Sequence, residues 1–235
     1  MICYAKLKLP FNTEKMQNEL SSFKHEWKAH FNTYYYEGSW TAVALRSPGG
    51  QSKNIIPELI ADAVYIDTEV MPSFPSVRAL VATLKCPVKS VRFLNLQAGA
   101  IIKPHRDNEL AFEKGEARLH FTVITNPDVK FYIEDERIPF KEGDCWYMNA
   151  NLLHRVSNEG STDRVHLIID CEVNNWLSEM ITLSDELSSK KDDMGCDVSL
   201  VISELRMQNT ESTNRLADEL EKQLNDTKTN GAGSF

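Results

Sequence analysis

Basic residues are in short supply: 26 lysines and arginines stand against 34 aspartates and glutamates, a formal charge of −8. Phosphate binding needs a positive surface, so this balance excludes nucleic acid as the main partner. Long apolar runs are missing too. The opening MICYAKLKLP lacks the extended hydrophobic stretch of a secretory signal, and no segment reaches the roughly 20 apolar residues of a membrane helix. No membrane partner is therefore expected. Cysteine pairs are absent as well. Cys3, Cys86, Cys145, Cys171 and Cys196 are an odd, scattered set with no C-x-x-C spacing, which argues against a disulfide framework and for reduced thiols in a cytoplasmic protein.

Aromatic residues run out near the C-terminus. From Ser178 onward only Phe235 is aromatic, and twelve acidic residues face six basic ones, so this stretch holds six of the eight net negative charges. Trp176, Met180, Leu183 and Leu187 follow helical spacing within Asn175 to Leu187, and Leu216, Leu220 and Leu224 repeat it. The stripe is too short for a coiled coil. The expected organisation is one domain over 1–177 and an acidic helical appendage over 178–235, with a disordered NGAGSF end.

What remains is patterned in two ways. Met16, Leu20, Phe23 and Trp27 predict a helix from about Thr13 to Lys28, capped by Asn12 or Thr13. GSWTAVALRS predicts a strand, and Val77, Leu80, Val81 and Leu84 a second helix that stops before Pro87. From Val88 to Val173 the pattern becomes short strands: VKSVRFLNL, GAIIKPHRD, ARLHFTVIT, VKFYIED with RIPF, GDCWYMNA and DRVHLIIDCEV. Many short strands separated by Asn126-Pro127, Gly143 and Glu159-Gly160 indicate a sandwich or barrel. Arg118, His120 and Thr122 fall on one face of their strand, and Arg164 and His166 share a face with Ile168 and Asp170. Polar residues on one face of two barrel strands imply a charged lumen.

Four of the six histidines lie between 105 and 166. In IIKPHRDNE, residues i and i+2 point the same way along a strand, so His105 and Asp107 can reach one point. With a third ligand they form a two-histidine, one-carboxylate face with open positions, the set suited to Fe(II) oxygen chemistry. His154, just past GDCWYMNA, fits that third place best. His120 and His166 compete for it, but each has an arginine two residues away on the same face, a better neighbour for an anion than for a cation. Arg164, ten positions after His154, supplies a guanidinium fork matched to a carboxylate.

The runs GAIIKPHRD, RLHFTVITN, EGDCWYMNANLLHRVSNEG and RVHLIID resemble the aspartyl/asparaginyl β-hydroxylase family of Fe(II)/2-oxoglutarate dioxygenases, including its small bacterial branch with proline cis-4-hydroxylases. The resemblance is firm over about 95 to 173, weaker over YYYEGSWTAVALRSPGG and absent from the tail. It implies a double-stranded β-helix, a cupin-like jelly roll, giving a mainly β fold with flanking helices. It also implies His105, Asp107 and His154 as catalytic iron ligands, and Arg118, His120 and Arg164 as the residues that hold 2-oxoglutarate. O2 and ascorbate complete the expected requirements. One family position that is sometimes serine is Leu94 here. The expected activity is hydroxylation of an unactivated C–H in a free amino acid or similar small molecule. Hydroxylation of Asp, Asn or Pro residues in a peptide or protein is the alternative. Two other classes compete: a non-oxygenase metal-binding cupin, and a jelly-roll scaffold serving an acidic partner-binding tail. Trp40 and Trp146 read as core, Asp170 as a satisfied strand-end carboxylate, and Arg46 and Arg106 as solvated surface residues.

Overall fold

Alternating residues on three central β-strands, apolar on one face and largely polar on the other but buried on both, build this molecule outward. The computed structural model describes residues 1–24, 27–31, 33–55, 63–107, 110–190, 202, 206 and 211–230. In chain order the elements are β1 (Ile2–Leu7), α1 (Thr13–Ser22), β2 (Lys28–Ala29), β3 (Tyr36–Glu37), β4 (Trp40–Pro48), β5 (Tyr65–Asp67), α2 (Pro75–Val81), β6 (Val88–Leu96) and β7 (Ile101–His105). There follow β8 (Glu116–Ile124), β9 (Val129–Ile133), β10 (Glu136–Ile138), β11 (Cys145–Met148), β12 (His154–Asn158), β13 (Arg164–Glu172), α3 (Asn175–Thr182) and β14 (Leu187–Ser189).

One sheet runs β14-β1-β11-β8-β13-β6-β4-β2, with β5 added to β4, and the second runs β10-β9-β12-β7-β3. Strands β6 to β13 are dealt between the two sheets, four to each, which is the jelly-roll arrangement. The central strands β6, β8 and β13 each separate two environments. Phe93, Leu119, Phe121, Leu167 and Ile169 pack outward against Met16 of α1, Val77 and Leu80 of α2, and Leu177 and Ile181 of α3. Each such side chain contributes roughly 1.5–3 kcal/mol by leaving water. On the other face, Leu96, Trp146 and Met148 meet Ile102, Phe131, Ile133 and Val156 of the second sheet, with Trp40 beside them. The polar faces foreseen on β8 and β13 look into this inner layer. Gly38, at φ +80, has Ala100 so close that an added Cβ would sit 2.9 Å from it, so only glycine turns the chain from β3 into β4 here.

The predicted helices form but are shorter. Asn12 caps α1 by accepting the Lys15 N–H at 2.9 Å. The helix ends at Ser22, not Lys28, because Phe23 turns extended. Trp27 keeps helical spacing in sequence, yet its ring reaches Phe93 from beyond the helix, with centroids 6.4 Å apart. Likewise α3 stops at Thr182, leaving Leu183 exposed, and Leu187 sits in β14.

The compact unit runs to Lys190 rather than to residue 177, because α3 buries Leu177 and Ile181 and β14 pairs with β1. The second unit spans Lys191–Phe235. It contains α4 (Glu211–Asn230), which holds the predicted Leu216, Leu220 and Leu224 stripe, and Arg206 pairs with Asp218 at 2.7 Å and Glu221 at 3.2 Å. The expected disorder beyond Asn230 and the reading of Cys196 lie outside the described residues. Cys3, Cys86, Cys145 and Cys171 are free and buried. Among the described residues no helix is long and apolar enough to cross a membrane.

Candidate active site

His105 ends β7 and His154 begins β12, and the two are direct cross-strand partners. A register slip makes them so. Val156 opposes Ile102 and Ser157 opposes Ile101, a pairing that continued unchanged would set His154 opposite Pro104. Proline has no N–H to give the ladder, and at this point the pairing shifts by one residue to His105. The two imidazole centroids stand 4.2 Å apart.

Each ring is fixed by its own chain. Nδ1 of His105 donates to the Lys103 carbonyl at 2.8 Å, and Nδ1 of His154 to the Leu152 carbonyl at 2.9 Å. Both Nε2 lone pairs are thereby left available. Asp107 lies past the end of β7, in the loop, where its N–H donates to the Ala150 carbonyl at 2.8 Å. Its Oδ1 is 3.7 Å from His105 Nε2. One ligand atom from each of His105, Asp107 and His154 lies within 4.8 Å of the others. Two imidazole nitrogens and one carboxylate oxygen fit a divalent cation with open positions. Burial, aided by the nearby His105, lowers His154 to about 4. Burial acts to raise Asp107, but the opposing pull, led by the Arg118 guanidinium, outweighs it, and the carboxyl stays below its ordinary value. Both groups are therefore in their ligand forms at neutral pH.

Arg118 is already engaged. Its Nη1 donates to Asp107, its Nε to Asp170 Oδ1 at 2.8 Å and its Nη2 to Asp170 Oδ2 at 3.3 Å. Asp170 also accepts from Arg92 Nη1 at 2.8 Å and Ser90 Oγ at 2.7 Å. Two arginines and two aspartates thus balance beside the histidines. Burial alone would raise Asp170, but the flanking Arg118 and Arg92 hold it well below the carboxylate range. Sequence reading took Asp170 for a satisfied carboxylate, which it is, and missed Arg92 altogether.

Arg164 is different. It is 2% exposed, and among the described residues its Nε has no hydrogen-bond partner and its Nη2 meets only the His166 Nδ1, at 2.9 Å. Burial pulls its pKa down to about 9. Among the described residues no carboxylate offsets it. Nearby, both ring nitrogens of His120 and the Thr122 Oγ1 are buried without partners. Burial, then Arg164, holds His120 and His166 well below 6.5, so both rings are neutral. Phe131 and Phe140 close this part of the lumen against His120 and His166. Leu94, opposite His166, brings no hydrogen-bonding group.

An aromatic wall completes the surroundings. Tyr35 stacks near His105 at 5.4 Å, and His30 stacks on Trp40 at 3.7 Å and 10°. Trp40 is core, as expected, but it is core that faces the histidine cluster, 6.4 Å from His105. The signal was the aromatic run YYYEGSW. Arg46 pairs with Asp67 at 2.9 Å, and Arg106 donates to the Asn151 carbonyl at 3.1 Å, so neither points at the cluster's ligand atoms.

Fold and cluster together define a jelly-roll protein with a two-histidine, one-carboxylate set at the junction of β7 and β12. The chain belongs to the aspartyl/asparaginyl β-hydroxylase family, whose profile, described as Aspartyl/Asparaginyl beta-hydroxylase, matches residues 11–173. It is similar to an L-proline cis-4-hydroxylase of Rhizobium meliloti strain 1021, 30% identical over 171 residues, which are 70% of this chain and 59% of that protein. It is also similar to L-proline cis-3-hydroxylase 2 of a Streptomyces species, 27% identical over 140 residues, 58% of this chain and 48% of that one. The chain thus spans about half to three-fifths of the length of these curated relatives. Among solved structures, an oxidoreductase of the 2OG-Fe(II) oxygenase family from Burkholderia pseudomallei aligns with a TM-score of 0.46 at 8% identity, over 69% of this chain and 79% of that one.

Proposed function

We propose that this chain is a cytoplasmic Fe(II)/2-oxoglutarate-dependent dioxygenase that hydroxylates an unactivated C–H of a free amino acid or related small molecule. Arg164 carries the reading. A buried guanidinium without a counter-charge costs several kcal/mol, so its natural complement is an anion brought by a ligand. The fork geometry suits a carboxylate. His120, with both nitrogens unpartnered, lies beside it and offers a further hydrogen bond to the same dicarboxylate. Arg118, expected from the sequence to share this task, is instead committed to Asp107 and Asp170.

His105, Asp107 and His154 would hold the iron. When bound, iron with 2-oxoglutarate supplies what no side chain can: oxidative decarboxylation of the cosubstrate to succinate and delivery of one oxygen of O2 to the C–H bond. The chain's own part is positional. Backbone carbonyls of Lys103 and Leu152 aim the two imidazoles, Arg118 holds one Asp107 oxygen, and the Phe131 ring covers Arg164. The relatives, both named as L-proline hydroxylases, support a free amino acid as substrate.

Two measurements test this. Anaerobic titration of 2-oxoglutarate into Mn(II)-loaded protein should show binding. Arg164→Leu should weaken it by roughly 30-fold to several-thousand-fold, about 2–5 kcal/mol, with Mn(II) affinity within about threefold of wild type. A screen of amino acids, L-proline first, with Fe(II), 2-oxoglutarate, O2 and ascorbate should then release succinate and add one oxygen to one of them. Absence of 2-oxoglutarate binding in the wild type would instead favour a non-oxygenase metal-binding cupin. Turnover on peptides but not on free amino acids would favour a peptide or protein hydroxylase.

A further inference from the structure

We infer that Asp170 is a positioning residue which, acting through Arg118, presents a single oxygen of Asp107 to the cation; this rests on the reading of His105, Asp107 and His154 as cation ligands. Asp170 lies within β13, 1% exposed, directly across from Arg118 of β8. Its two oxygens accept from Arg118 Nε and Nη2, from Arg92 Nη1 and from Ser90 Oγ. That is more anchoring than a neutralising charge requires. The fork uses the Nε edge of Arg118 and fixes the plane of its guanidinium, so the remaining Nη1 arrives at Asp107 Oδ2 in one orientation.

Asp107 needs such a guide. It stands beyond the end of β7, its side chain about a third exposed, and its backbone N–H donates to the Ala150 carbonyl. The carboxylate torsion of an aspartate is broad and roughly two-fold, so nothing local selects which oxygen faces the imidazoles. Arg118 makes the selection. With Oδ2 taken, Oδ1 is left turned toward His105 Nε2.

Charge alone leads to a related but separable expectation. Arg92 and Arg118 cancel Asp107 and Asp170. Replacing Asp170 by asparagine leaves two guanidiniums against Asp107 alone, which repels a cation and also frees Arg118 to take both Asp107 oxygens. A double change, Arg92→Met with Asp170→Asn, restores the charge balance but not the fork.

The full-length protein is titrated with Mn(II) alone, by calorimetry and by the electron paramagnetic resonance of the bound ion. If the wild type fails to bind Mn(II), the reading of the three ligands falls, whatever Asp170 does. If it binds, Asp170→Asn should weaken Mn(II) at least tenfold and alter the spectrum of the bound ion. The double variant should stay at least tenfold weaker than wild type. Recovery of wild-type affinity and spectrum in the double variant would overturn the inference, since it would leave Asp170 with a charge role only. Arg118→Lys keeps the charge but lacks the planar fork that fixes one orientation between the two carboxylates, and it should show the same loss. This variant decides the matter if Asp170→Asn does not fold, and wild-type Mn(II) binding by it would equally overturn the inference.

Discussion

A histidine can serve a cation only while it is neutral, and for His154 neutrality is enforced by burial rather than by pH. His154 is held down to about 4, first by burial and then by His105, while burial and then Arg164 keep His120 and His166 well below 6.5. In the unfolded chain each of these rings takes up a proton near pH 6.5, whereas in the folded protein it does not. Below that pH the unfolded state binds more protons, so stability falls as pH falls, with a limiting slope of about 4 kcal/mol per pH unit for three rings. The metal-free protein should therefore lose thermal stability steeply from about pH 6.5 toward pH 5 in a melting series. A Tm unchanged between pH 7 and 5 would contradict neutral burial of these rings. At this scale the sequence was informative where chemistry is local: the spacing of His105 and Asp107, and of His154 and Arg164, reads directly. The Arg92–Asp170–Arg118 cluster does not, because its partners are 78 and 52 residues apart and meet only through the registers of β13 with β6 and β8.

Strands β6, β8 and β13 were legible because two-residue alternation survives burial on both faces, apolar outward and polar toward the lumen. Strand β1 was not. Its buried positions are Cys3, Ala5 and Leu7, too small and mixed to stand out, yet it joins β11 to β14. Composition suggested an end to the domain at residue 177, since aromatic residues vanish there, but pairing between elements extends further. A chain ending at Lys190 keeps β14 on β1 and Ile181 in the core. One ending at Leu177 loses both, and loss of a buried isoleucine alone costs about 2–5 kcal/mol. The shorter chain should thus unfold at a lower temperature than the longer one, by roughly 4–20 °C at about 2–4 °C per kcal/mol for domains of this size. Equal melting temperatures would show that β14 and the end of α3 are dispensable to the sheet.

Net charge is a property of the whole chain, and here it points the opposite way from the lumen. The molecule carries −8, while its interior sets Arg92, Arg118 and Arg164 against Asp107 and Asp170. Composition gives the first fact and cannot give the second, because it does not say which arginines are folded inward. The difference has a measurable outcome under the proposed function. Surface charges act on an approaching dianion through solvent, and salt at about 0.1 M screens them beyond roughly 10 Å. Arg164 acts across a buried contact that salt does not reach. Raising NaCl from about 0.02 to about 0.5 M, a range over which the Debye length falls several-fold, should relieve the repulsion from the acidic surface and leave the Arg164 pair intact. Measured 2-oxoglutarate affinity of the Mn(II)-loaded wild type should then hold or tighten slightly with salt. The ratio of wild-type to Arg164→Leu affinity should stay constant within about threefold, since buried pairs are screened far less than exposed ones. An exposed ion pair would behave otherwise, its contribution shrinking as salt rises. A ratio that collapses toward one at high salt would therefore place the carboxylate at the surface and remove Arg164 from the cosubstrate site.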